Sequence, residues 1–279
     1  MIKACVIGWP IGHSRSPIIH GYWLRQHGIA GAYTKVPVEP RDLPEFISSL
    51  AQTGYAGCNV TIPHKEAVFD LVEVEDEQTR RLGAVNTIHL RNGRIVGENT
   101  DGIGFFANLM ASAPQTAIVN QRVAILGAGG SAMAVAAVLL ANGVTEIAMI
   151  NRSIERAESV RTRLGPAIKP TAWESREQAL SECSLLVNTT SLGMAGQPAL
   201  VIDLCRLPLT ATVSDIVYVP LKTSFLQIAE DLGHPVVTGL GMLLHQAAPG
   251  FARWFGTRPE VTAELHDLVA RDIDPDYDA

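Results

Sequence analysis

The chain has 279 residues, 47% of them hydrophobic and 18% charged, as is typical of a folded, water-soluble protein with one large or two ordinary domains. Its net charge of −6 argues against nucleic-acid binding, which needs a clustered basic surface. No run reaches the roughly 18 apolar residues of a membrane span, and the four scattered cysteines form no C-x-x-C pair. We therefore expect a cytoplasmic protein that binds neither nucleic acid nor membrane.

Short apolar runs alternate with helical segments through the first hundred residues. We predict strands at 3–8, 32–38 and 56–62, and helices from Ser16, over 42–51 and from Pro63. The segments AVNTIHL and RIVGENTDG then predict a hairpin around the Asn92-Gly93 turn. Together these elements make a first α/β unit of about 100 residues.

Two serines stand where the first predicted helix begins, in GWPIGHSRSP. Ser16 can cap this helix, and Pro17 fits its first position. The hydroxyls of Ser14 and Ser16, with the first backbone N–H groups of the helix, would suit a carboxylate. Capping alone explains Ser16 and leaves Ser14 unexplained, so both remain candidates for binding an anion.

A histidine and a lysine lie side by side in NVTIPHKE. With Pro63 as first helical residue, the apolar stripe of the helix is Ala67, Val68, Leu71 and Val72, and His64 extends this stripe. Lys65 lies off the stripe in the first turn, where the helix dipole disfavours a cation by about 0.3–1 kcal/mol. We therefore expect His64 to pack and Lys65 to be functional. An exposed lysine offset by Glu66 is the alternative.

Polar residues stand at several predicted strand ends, which is where open α/β sheets bind ligands. They are Asn59, Asn86 and the Asn99-Thr100-Asp101 segment, and each has the alternative of an ordinary turn residue. A lysine, a carboxylate and several amides would suit a polyhydroxylated substrate. The histidines show no metal-ligand spacing, and G-x-S-x-G is absent from the sequence. We expect neither a metal site nor a serine hydrolase.

A second unit begins near Gln121, where the strand VAIL enters a glycine turn and an alanine-rich helix. Residues 127–132 match G-x-G-x-x-A in the strand-to-helix context of dinucleotide binding. A merely structural turn is the alternative. Further strands in EIAMIN, LLVNTT, TVSDIVY and HPVV predict a mostly parallel, doubly wound sheet. The turn residues that we assign to cofactor contact are Gly127, Ala128, Gly129, Gly130 and Ser131.

The residue after the second strand of this unit selects the cofactor, because NAD enzymes place Asp or Glu there to bind the ribose 2′-hydroxyl. This chain has Asn151-Arg152-Ser153 instead. Arg152 offers a planar fork for a 2′-phosphate, and no carboxylate follows until Glu155. A solvated Arg152 without function is the alternative. The upstream glycine turn favours NADP.

Together these motifs resemble the shikimate dehydrogenase family over nearly the whole chain. Trp9 stands where the family commonly has a smaller polar residue. The matching segments are GWPIGHSRSP, NVTIPHKE, AVNT, NTDG, GAGGSA, NRS, NTTSLGM, the D-x-x-Y-x-P of Asp215 to Pro220, and GLGMLLHQA at 239–247.

The resemblance implies NADP-dependent interconversion of shikimate and 3-dehydroshikimate in aromatic amino-acid synthesis. It implies Lys65 and Asp101 as the catalytic pair, with Lys65 transferring the proton and Asp101 holding Lys65 and a substrate hydroxyl. Ile216 and Gly239 fall at positions that line the cofactor. The residues it assigns to substrate binding are Ser14, Ser16, Asn59, Thr61, Asn86, Tyr218 and Gln246.

The fold expected is an N-terminal α/β substrate domain plus a Rossmann-type, doubly wound dinucleotide-binding domain. We place the substrate domain at 1–105, with C-terminal helices at 240–271 packing back on it, and the NADP domain at 106–239. In the helix at 242–256, the predicted apolar face is Leu243, Leu244, Ala247, Phe251 and Trp254. The oligomeric state is open between a monomer and a homodimer.

Two other functions remain open. A quinate-preferring or dual-substrate dehydrogenase is the nearer one, and Ser16 favours shikimate because a bulkier threonine would suit quinate-using relatives. A non-catalytic NADP-sensing regulator on the same fold belongs to another class. Such a regulator would be expected to lose the proton-transfer pair, yet Lys65 and Asp101 are both present.

Overall fold

The structure, a computed structural model, describes residues 1–277 of the chain. Their backbone divides into two units. The first consists of Met1–Thr100 and Leu244–Val269, and the second of Asp101–Leu243 with the segment that starts at Ala270. The predicted domain boundaries stay a prediction, because this division does not show what each unit binds. Within residues 1–277, no helix is both long and apolar enough to cross a membrane.

The first unit is built on a six-stranded mixed sheet. Its strands are β1 (Ile2–Gly8), β2 (Gly31–Pro37), β3 (Tyr55–Val60), β4 (Glu73–Val74), β5 (Thr87–Arg91) and β6 (Arg94–Glu98). Their order is β2-β1-β3-β5-β6-β4. β1 is parallel to both β2 and β3, whereas β5 is antiparallel to β3 and β6. β5 therefore lies in the middle of the sheet, between β3 and β6, and runs opposite to both.

The predicted hairpin joins β5 to β6. Arg91 pairs with Arg94, which leaves Asn92 and Gly93 as a two-residue loop. Their φ angles are 51° and 77°, the left-handed values that this kind of turn requires at both positions. The hairpin prediction is confirmed.

Four short helices belong to the N-terminal part of the first unit: α1 (Ser16–Gln26), α2 (Leu43–Ser49), α3 (Lys65–Phe69) and α4 (Glu77–Leu82). Apolar residues of α2 and α3 pack with buried residues of β1 and β3 in one core cluster. Leu43, Ile47 and Val68 are the buried contributions from these helices. The core forms because each helix has one apolar face to bury.

One predicted helix cap and one predicted helix start are wrong. α1 has Arg15 as its capping residue, and the Ser16 hydroxyl does not cap; instead, Ser14 Oγ accepts the Ser16 N–H at 3.3 Å. α3 begins at Lys65, so Pro63 lies outside it. The reason is a preceding turn, closed by the His64 N–H donating to Thr61 O at 2.9 Å.

The second unit contains a six-stranded parallel sheet, so the predicted doubly wound domain is confirmed. Its strands are β7 (Arg122–Leu126), β8 (Glu146–Asn151), β9 (Ile168–Ala172), β10 (Cys183–Asn188), β11 (Thr212–Asp215) and β12 (Val236–Val237), in the order β12-β11-β10-β7-β8-β9. Its helices are α5 (Asp101–Ser112), α6 (Gly130–Ala141), α7 (Ile154–Leu164), α8 (Arg176–Ala179) and α9 (Ser224–Asp231). The strand order reverses between the neighbouring strands β7 and β10: β8 and β9 follow on one side of this point, and β11 and β12 on the other. Sheets of this kind bind ligands at the carboxyl ends of the strands beside such a reversal.

Two helices complete the chain, α10 (Leu240–Phe255) and α11 (Ala263–Ile273). Most of α10 lies in the first unit, where four residues of the predicted apolar face are buried: Leu244, Ala247, Phe251 and Trp254. The fifth, Leu243, is half-buried and belongs to the second unit. Trp254 Nε1 donates to the Ile88 carbonyl of β5 at 2.8 Å. A residue far along the chain is thereby built into the N-terminal sheet.

Candidate active site

Asn86 is the centre of a buried hydrogen-bond network in the first unit. Its Oδ1 accepts the Thr100 N–H at 2.9 Å and the Thr87 hydroxyl at 3.0 Å. Its Nδ2 donates to Gln246 Oε1 at 3.1 Å. The Thr100 hydroxyl also donates to the Gln246 carbonyl at 2.8 Å. Two predicted substrate residues, Asn86 and Gln246, are therefore brought together by α10 and the loops at either end of the hairpin.

Asn59, at the end of β3, is joined to the same network. Its Nδ2 donates to the Asn86 carbonyl at 3.3 Å and to Thr87 Oγ1 at 3.1 Å. Its Oδ1 accepts the Tyr33 hydroxyl at 2.6 Å. Tyr33 was missed by the sequence reasoning, because nothing marks a tyrosine in the middle of a strand as functional. Burial raises the pKa of Tyr33 well above its ordinary value, so this phenol stays protonated and remains a donor.

The predicted serine pair forms a separate contact at the start of α1. Ser14 Oγ donates to Ser16 Oγ at 3.2 Å, and Ser16 is buried whereas Ser14 is half-buried. The hydroxyls adjoin the N-terminus of an 11-residue helix, whose dipole favours a negative charge at that end. This arrangement suits a carboxylate.

The two predicted catalytic residues lie beside the Asn86 network along the chain. The Lys65 carbonyl accepts the Val85 N–H at 2.8 Å, which fixes the start of α3 to the residue that precedes Asn86. Asp101, the first residue of α5, directly follows Thr100 and is buried. The Lys65 side chain is half-buried. The network thus anchors the backbone next to both residues.

His64 is a packing residue, as predicted. Its side chain is buried, and its Nε2 makes a 2.8 Å hydrogen bond with the Val38 carbonyl. Thr61, half-buried, lies three residues before it, where its N–H donates to the Ile7 carbonyl at 3.0 Å. Of the two adjacent candidates for proton transfer, only Lys65 has a side chain that is not committed to the core.

The glycine turn of the second unit fits a dinucleotide pyrophosphate. Gly127 has φ +104°, and a Cβ built there would lie 2.7 Å from Thr189 Oγ1, so glycine is needed for the turn. A Cβ at Gly129 or Gly130 would meet no described atom within 4 Å. The backbone at the N-terminus of the 12-residue α6 is therefore open to a ligand. Ala128 and Ser131 flank these glycines and are half-buried.

The loop after β8 is ordered by its own side chains. Asn151 Nδ2 donates to the Ser153 carbonyl at 2.8 Å, and Ser153 Oγ donates to Glu155 Oε2 at 2.7 Å. Arg152 is exposed at this loop, just before α7. An exposed guanidinium before a helix N-terminus suits a phosphate group.

Asp215 organises the loop that carries the remaining predicted residues. This fully buried carboxylate accepts the Val217 N–H at 2.9 Å, Asn188 Nδ2 at 3.0 Å and the Thr223 hydroxyl at 2.8 Å. Burial raises its pKa. The sequence offered this residue only as the first letter of the D-x-x-Y-x-P motif.

Ile216 and Tyr218 are the other predicted residues of this loop, and Gly239 lies between β12 and α10. A side chain at Gly239 would collide with the Ile216 carbonyl, so glycine is required for the approach of the two segments. Tyr218, half-buried, follows two residues after Ile216. Within residues 1–277, no three His, Cys, Asp or Glu side chains are grouped as a metal ion would need.

Three family models match the chain. The model of the shikimate dehydrogenase substrate binding domain matches residues 6–88, and that of shikimate / quinate 5-dehydrogenase matches residues 110–195. The model of the shikimate 5′-dehydrogenase C-terminal domain matches residues 239–263.

Relatives match over nearly the whole length. A shikimate dehydrogenase (NADP(+)) of Paramagnetospirillum magneticum is 51% identical over 267 residues, 95% of this chain and 97% of that protein. A shikimate dehydrogenase solved in complex with NADP+ has a TM-score of 0.89 at 29% identity, covering 98% and 96% of the two chains. Shikimate 5-dehydrogenase of Thermus thermophilus, solved with NADP(H) and shikimate, has a TM-score of 0.86 at 32% identity, covering 97% and 99%.

Proposed function

The chain belongs to the shikimate dehydrogenase family, and from this premise we propose that it catalyses the reversible, NADPH-dependent reduction of 3-dehydroshikimate to shikimate. The observation that carries the proposal is the hydrogen-bond network of buried Asn59 and Asn86 with half-buried Gln246, which adjoins Lys65 and Asp101 along the chain. Such a cluster of amides suits a substrate with several hydroxyl groups. The relative that is 51% identical has this activity in its name.

All of the residues proposed to bind the substrate except Tyr218 lie in the first unit. We assign the substrate carboxylate to Ser14 and Ser16, whose hydroxyls adjoin the N-terminus of α1. We assign the substrate hydroxyls to the other polar residues, because amide and hydroxyl groups both donate and accept hydrogen bonds. These are Asn59, Thr61, Asn86, Tyr218 and Gln246.

Proton transfer is assigned to Lys65. Its ammonium donates a proton to the oxygen that becomes the alkoxide, and its amine accepts the proton in the reverse reaction. Asp101 serves as the carboxylate that holds the ammonium and a substrate hydroxyl. NADPH supplies the hydride when it is bound. The protein's task is to orient the two reactants and to manage this one proton.

The cofactor is assigned to the second unit. The open backbone at Gly129 and Gly130, with Gly127, Ala128 and Ser131, would hold the pyrophosphate at the N-terminus of α6. The segment 151–153 would hold the ribose 2′-phosphate, with Arg152 as the cation and Asn151 and Ser153 as hydrogen-bonding neighbours. Ile216 and Gly239 would line the cofactor.

A steady-state assay tests the function. Purified enzyme is offered shikimate or quinate, each with NADP+ or NAD+, and reduction of the nucleotide is followed by its absorbance. The highest kcat/KM is expected for shikimate with NADP+. A higher kcat/KM for quinate would instead establish the quinate dehydrogenase that one matching family model also describes. Nucleotide binding without turnover of either acid would establish a regulator.

Two finer expectations accompany the proposal. A biosynthetic role is best served by a cytoplasmic location, which fractionation of source cells tests. Sedimentation of the purified protein decides between the monomer and the homodimer.

A further inference from the structure

We infer that Tyr33 is a positioning residue for substrate binding, acting through Asn59. Its hydroxyl is the first donor of a directed chain of hydrogen bonds that ends at Gln246. The inference rests on the proposed function, because it concerns how the proposed substrate residues are oriented. Tyr33 itself touches none of the reacting atoms in this account.

The contact between Tyr33 and Asn59 spans one strand of the sheet. Tyr33 pairs with Ala4 in β1, and Asn59 pairs with Val6, so all four side chains lie on one face. The small Ala4 side chain leaves room for the tyrosine ring to reach across β1. The resulting hydrogen bond, 2.6 Å from Tyr33 Oη to Asn59 Oδ1, is buried.

The hydrogen bonds beyond Asn59 all run in one direction. Asn59 Nδ2 donates to Thr87 Oγ1 at 3.1 Å, and the Thr87 hydroxyl donates to Asn86 Oδ1 at 3.0 Å. Asn86 Nδ2 then donates to Gln246 Oε1 at 3.1 Å. A phenol that donates to Asn59 Oδ1 therefore sets which end of the Asn59 amide faces Thr87. This in turn directs the Thr87 proton toward Asn86.

The other bonds of Asn59 hold it less firmly than Tyr33 does. Its two remaining bonds are 3.1 Å and 3.3 Å long, against 2.6 Å for the bond from Tyr33. The bond from Tyr33 is at the short end of the range for O–H donors, and the other two are at the long end of the range for N–H donors, so the Asn59 amide depends mainly on Tyr33 for its orientation. Without this donor, Asn59 Oδ1 would lose its one hydrogen bond of ideal length inside the sheet.

Tyr33 is held rigidly by aromatic neighbours. Its ring stacks on His20 with centroids 3.9 Å apart and planes 12° apart, and the Trp254 ring lies 5.8 Å away. Burial, only partly offset by the Asn59 side chain, lowers the pKa of His20 to about 3, so His20 is neutral at pH values well above 3. A neutral, close-packed support keeps the phenol in place across that whole pH range.

The kinetic test uses Tyr33→Phe, which keeps the stacking ring and removes only the donor. We expect KM for shikimate to rise about 5-fold, as the loss of one buried hydrogen bond implies, with kcat and KM for NADP+ changed less than about 2-fold. Tyr22→Phe is the matched control, since it removes a hydroxyl bonded to Thr262 and Glu264 in the same unit. Tyr22→Phe is expected to leave KM unchanged.

A double-mutant cycle shows whether Tyr33 acts through Asn59. In an Asn59→Ala background, Tyr33→Phe should change KM by less than about 2-fold. Full additivity of the two substitutions overturns the inference. A lower melting temperature with an unchanged KM also overturns it, since that result describes a residue with a purely structural role. Thr87→Val breaks the chain one link further and should raise KM similarly; an unchanged KM there is contrary evidence.

A measurement without substrate separates this inference from the proposed function. In protein labelled with 15N at asparagine, the side-chain amide signals of Asn59 are identified by their loss in Asn59→Ala. They should shift in Tyr33→Phe and stay in place in Tyr22→Phe. Unshifted signals in Tyr33→Phe overturn the inference even if shikimate is turned over. Shifted signals in an enzyme that does not turn over shikimate overturn the proposed function alone.

Discussion

Lys65 is the residue on which the proposed chemistry depends most directly. We expect Lys65→Met to lower kcat for shikimate oxidation by about 10²–10⁴-fold, the usual contribution of a general acid–base group. The fold should persist, because the side chain is only half-buried. Steady-state kinetics and a thermal melt measure the two effects. Lys3→Met, which removes an exposed lysine from β1, is the control, and near-normal turnover in Lys65→Met would refute the assignment.

His20 makes the free energy of unfolding sensitive to acid. Its ring is fully buried, and burial lowers its pKa from 6.5 to about 3. The unfolded chain therefore binds a proton below pH 6.5 that the folded protein refuses until about pH 3. Above pH 6.5 the protonation of His20 therefore does not lower the free energy of unfolding. As the pH falls from 6.5 to about 3, the free energy of unfolding decreases, because only the unfolded chain binds the proton.

The variant that tests this effect is His20→Phe. Between pH 7 and pH 5, wild-type protein should lose about 2 kcal/mol more free energy of unfolding than His20→Phe does. Urea unfolding at the two pH values measures the difference. Equal losses in both proteins would show that His20 titrates normally in the fold.

At the scale of single elements, two glycines of the turn before α6 should have different roles: Gly127 is needed for the fold, and Gly129 for binding NADP+. Gly127→Ala should lower the melting temperature, because its φ is +104° and the Cβ would lie 2.7 Å from Thr189 Oγ1. Gly129→Ala should leave the melting temperature unchanged, because its Cβ meets no described atom within 4 Å. It should nevertheless raise the Kd for NADP+ about tenfold by blocking the pyrophosphate.

Calorimetric titration with NADP+ and thermal melts of both variants measure these effects. Gly165→Ala is a control for stability alone, as Gly165 has φ +101° with no atom near its Cβ. The proposal for the turn fails if Gly129→Ala binds NADP+ as tightly as wild type.

Elements with a strong local pattern were predictable from sequence. The Asn92-Gly93 hairpin and the strand, glycine turn and helix at β7 and α6 have the predicted kinds of structure. In both cases the turn needs a positive φ, and the sequence has Asn or Gly at the positions that need it. Asp76 caps α4, since its side chain accepts the Thr79 N–H at 2.7 Å, and an Asp before a helix is a recognisable sequence signal. α4 was nevertheless not predicted, because it is only six residues long.

Other elements were hidden because tertiary packing overrides local preference. β9 was missed because Pro170 reads as a strand breaker, yet β9 is the edge of its sheet, where a missing N–H is tolerated. α5 as a whole was not predicted, because Gly102 and Gly104 weaken a helix. A Cβ at Gly102 would lie 2.8 Å from the Ala134 carbonyl, so this glycine serves the packing of α5 against α6.

The helix at Lys65 differs from the predicted one, although Lys65 keeps its proposed role. α3 has five residues, too few for a strong dipole, and Ala67 and Leu71 of the predicted apolar stripe are exposed. Val68 is buried as predicted. What the sequence could not reveal is the Val85 N–H bound to the Lys65 carbonyl, because residues 20 positions apart meet only in the folded sheet.

At the scale of the whole molecule, the two units should respond separately to substitution. Trp254 is 4% exposed and bonded to the Ile88 carbonyl, so Trp254→Ala should cost the first unit about 3–5 kcal/mol. The residues proposed to bind NADP+ lie within Asp101–Leu243, in the second unit. The variant's Kd for NADP+ should therefore change less than about 2-fold.

Urea unfolding and calorimetric titration measure the two quantities. Trp9→Ala is the control for loss of an exposed indole, since Trp9 is 44% exposed. A loss of NADP+ binding in Trp254→Ala under native conditions would show that the second unit needs the first.

The return of α10 to the N-terminal sheet has a consequence for protein synthesis. A ribosome that has finished Thr100 must still make Asp101–Leu243 before Leu244–Val269 can leave the exit tunnel. At cellular elongation rates this takes about 10–30 s, during which the Ile88 carbonyl lacks the Trp254 indole that covers it in the finished fold. Nascent chains arrested before Leu244 should thus be cut by protease within residues 1–100, and released full-length chains should resist. The first unit, whose synthesis starts first, can therefore complete its fold only after the second unit has been synthesised.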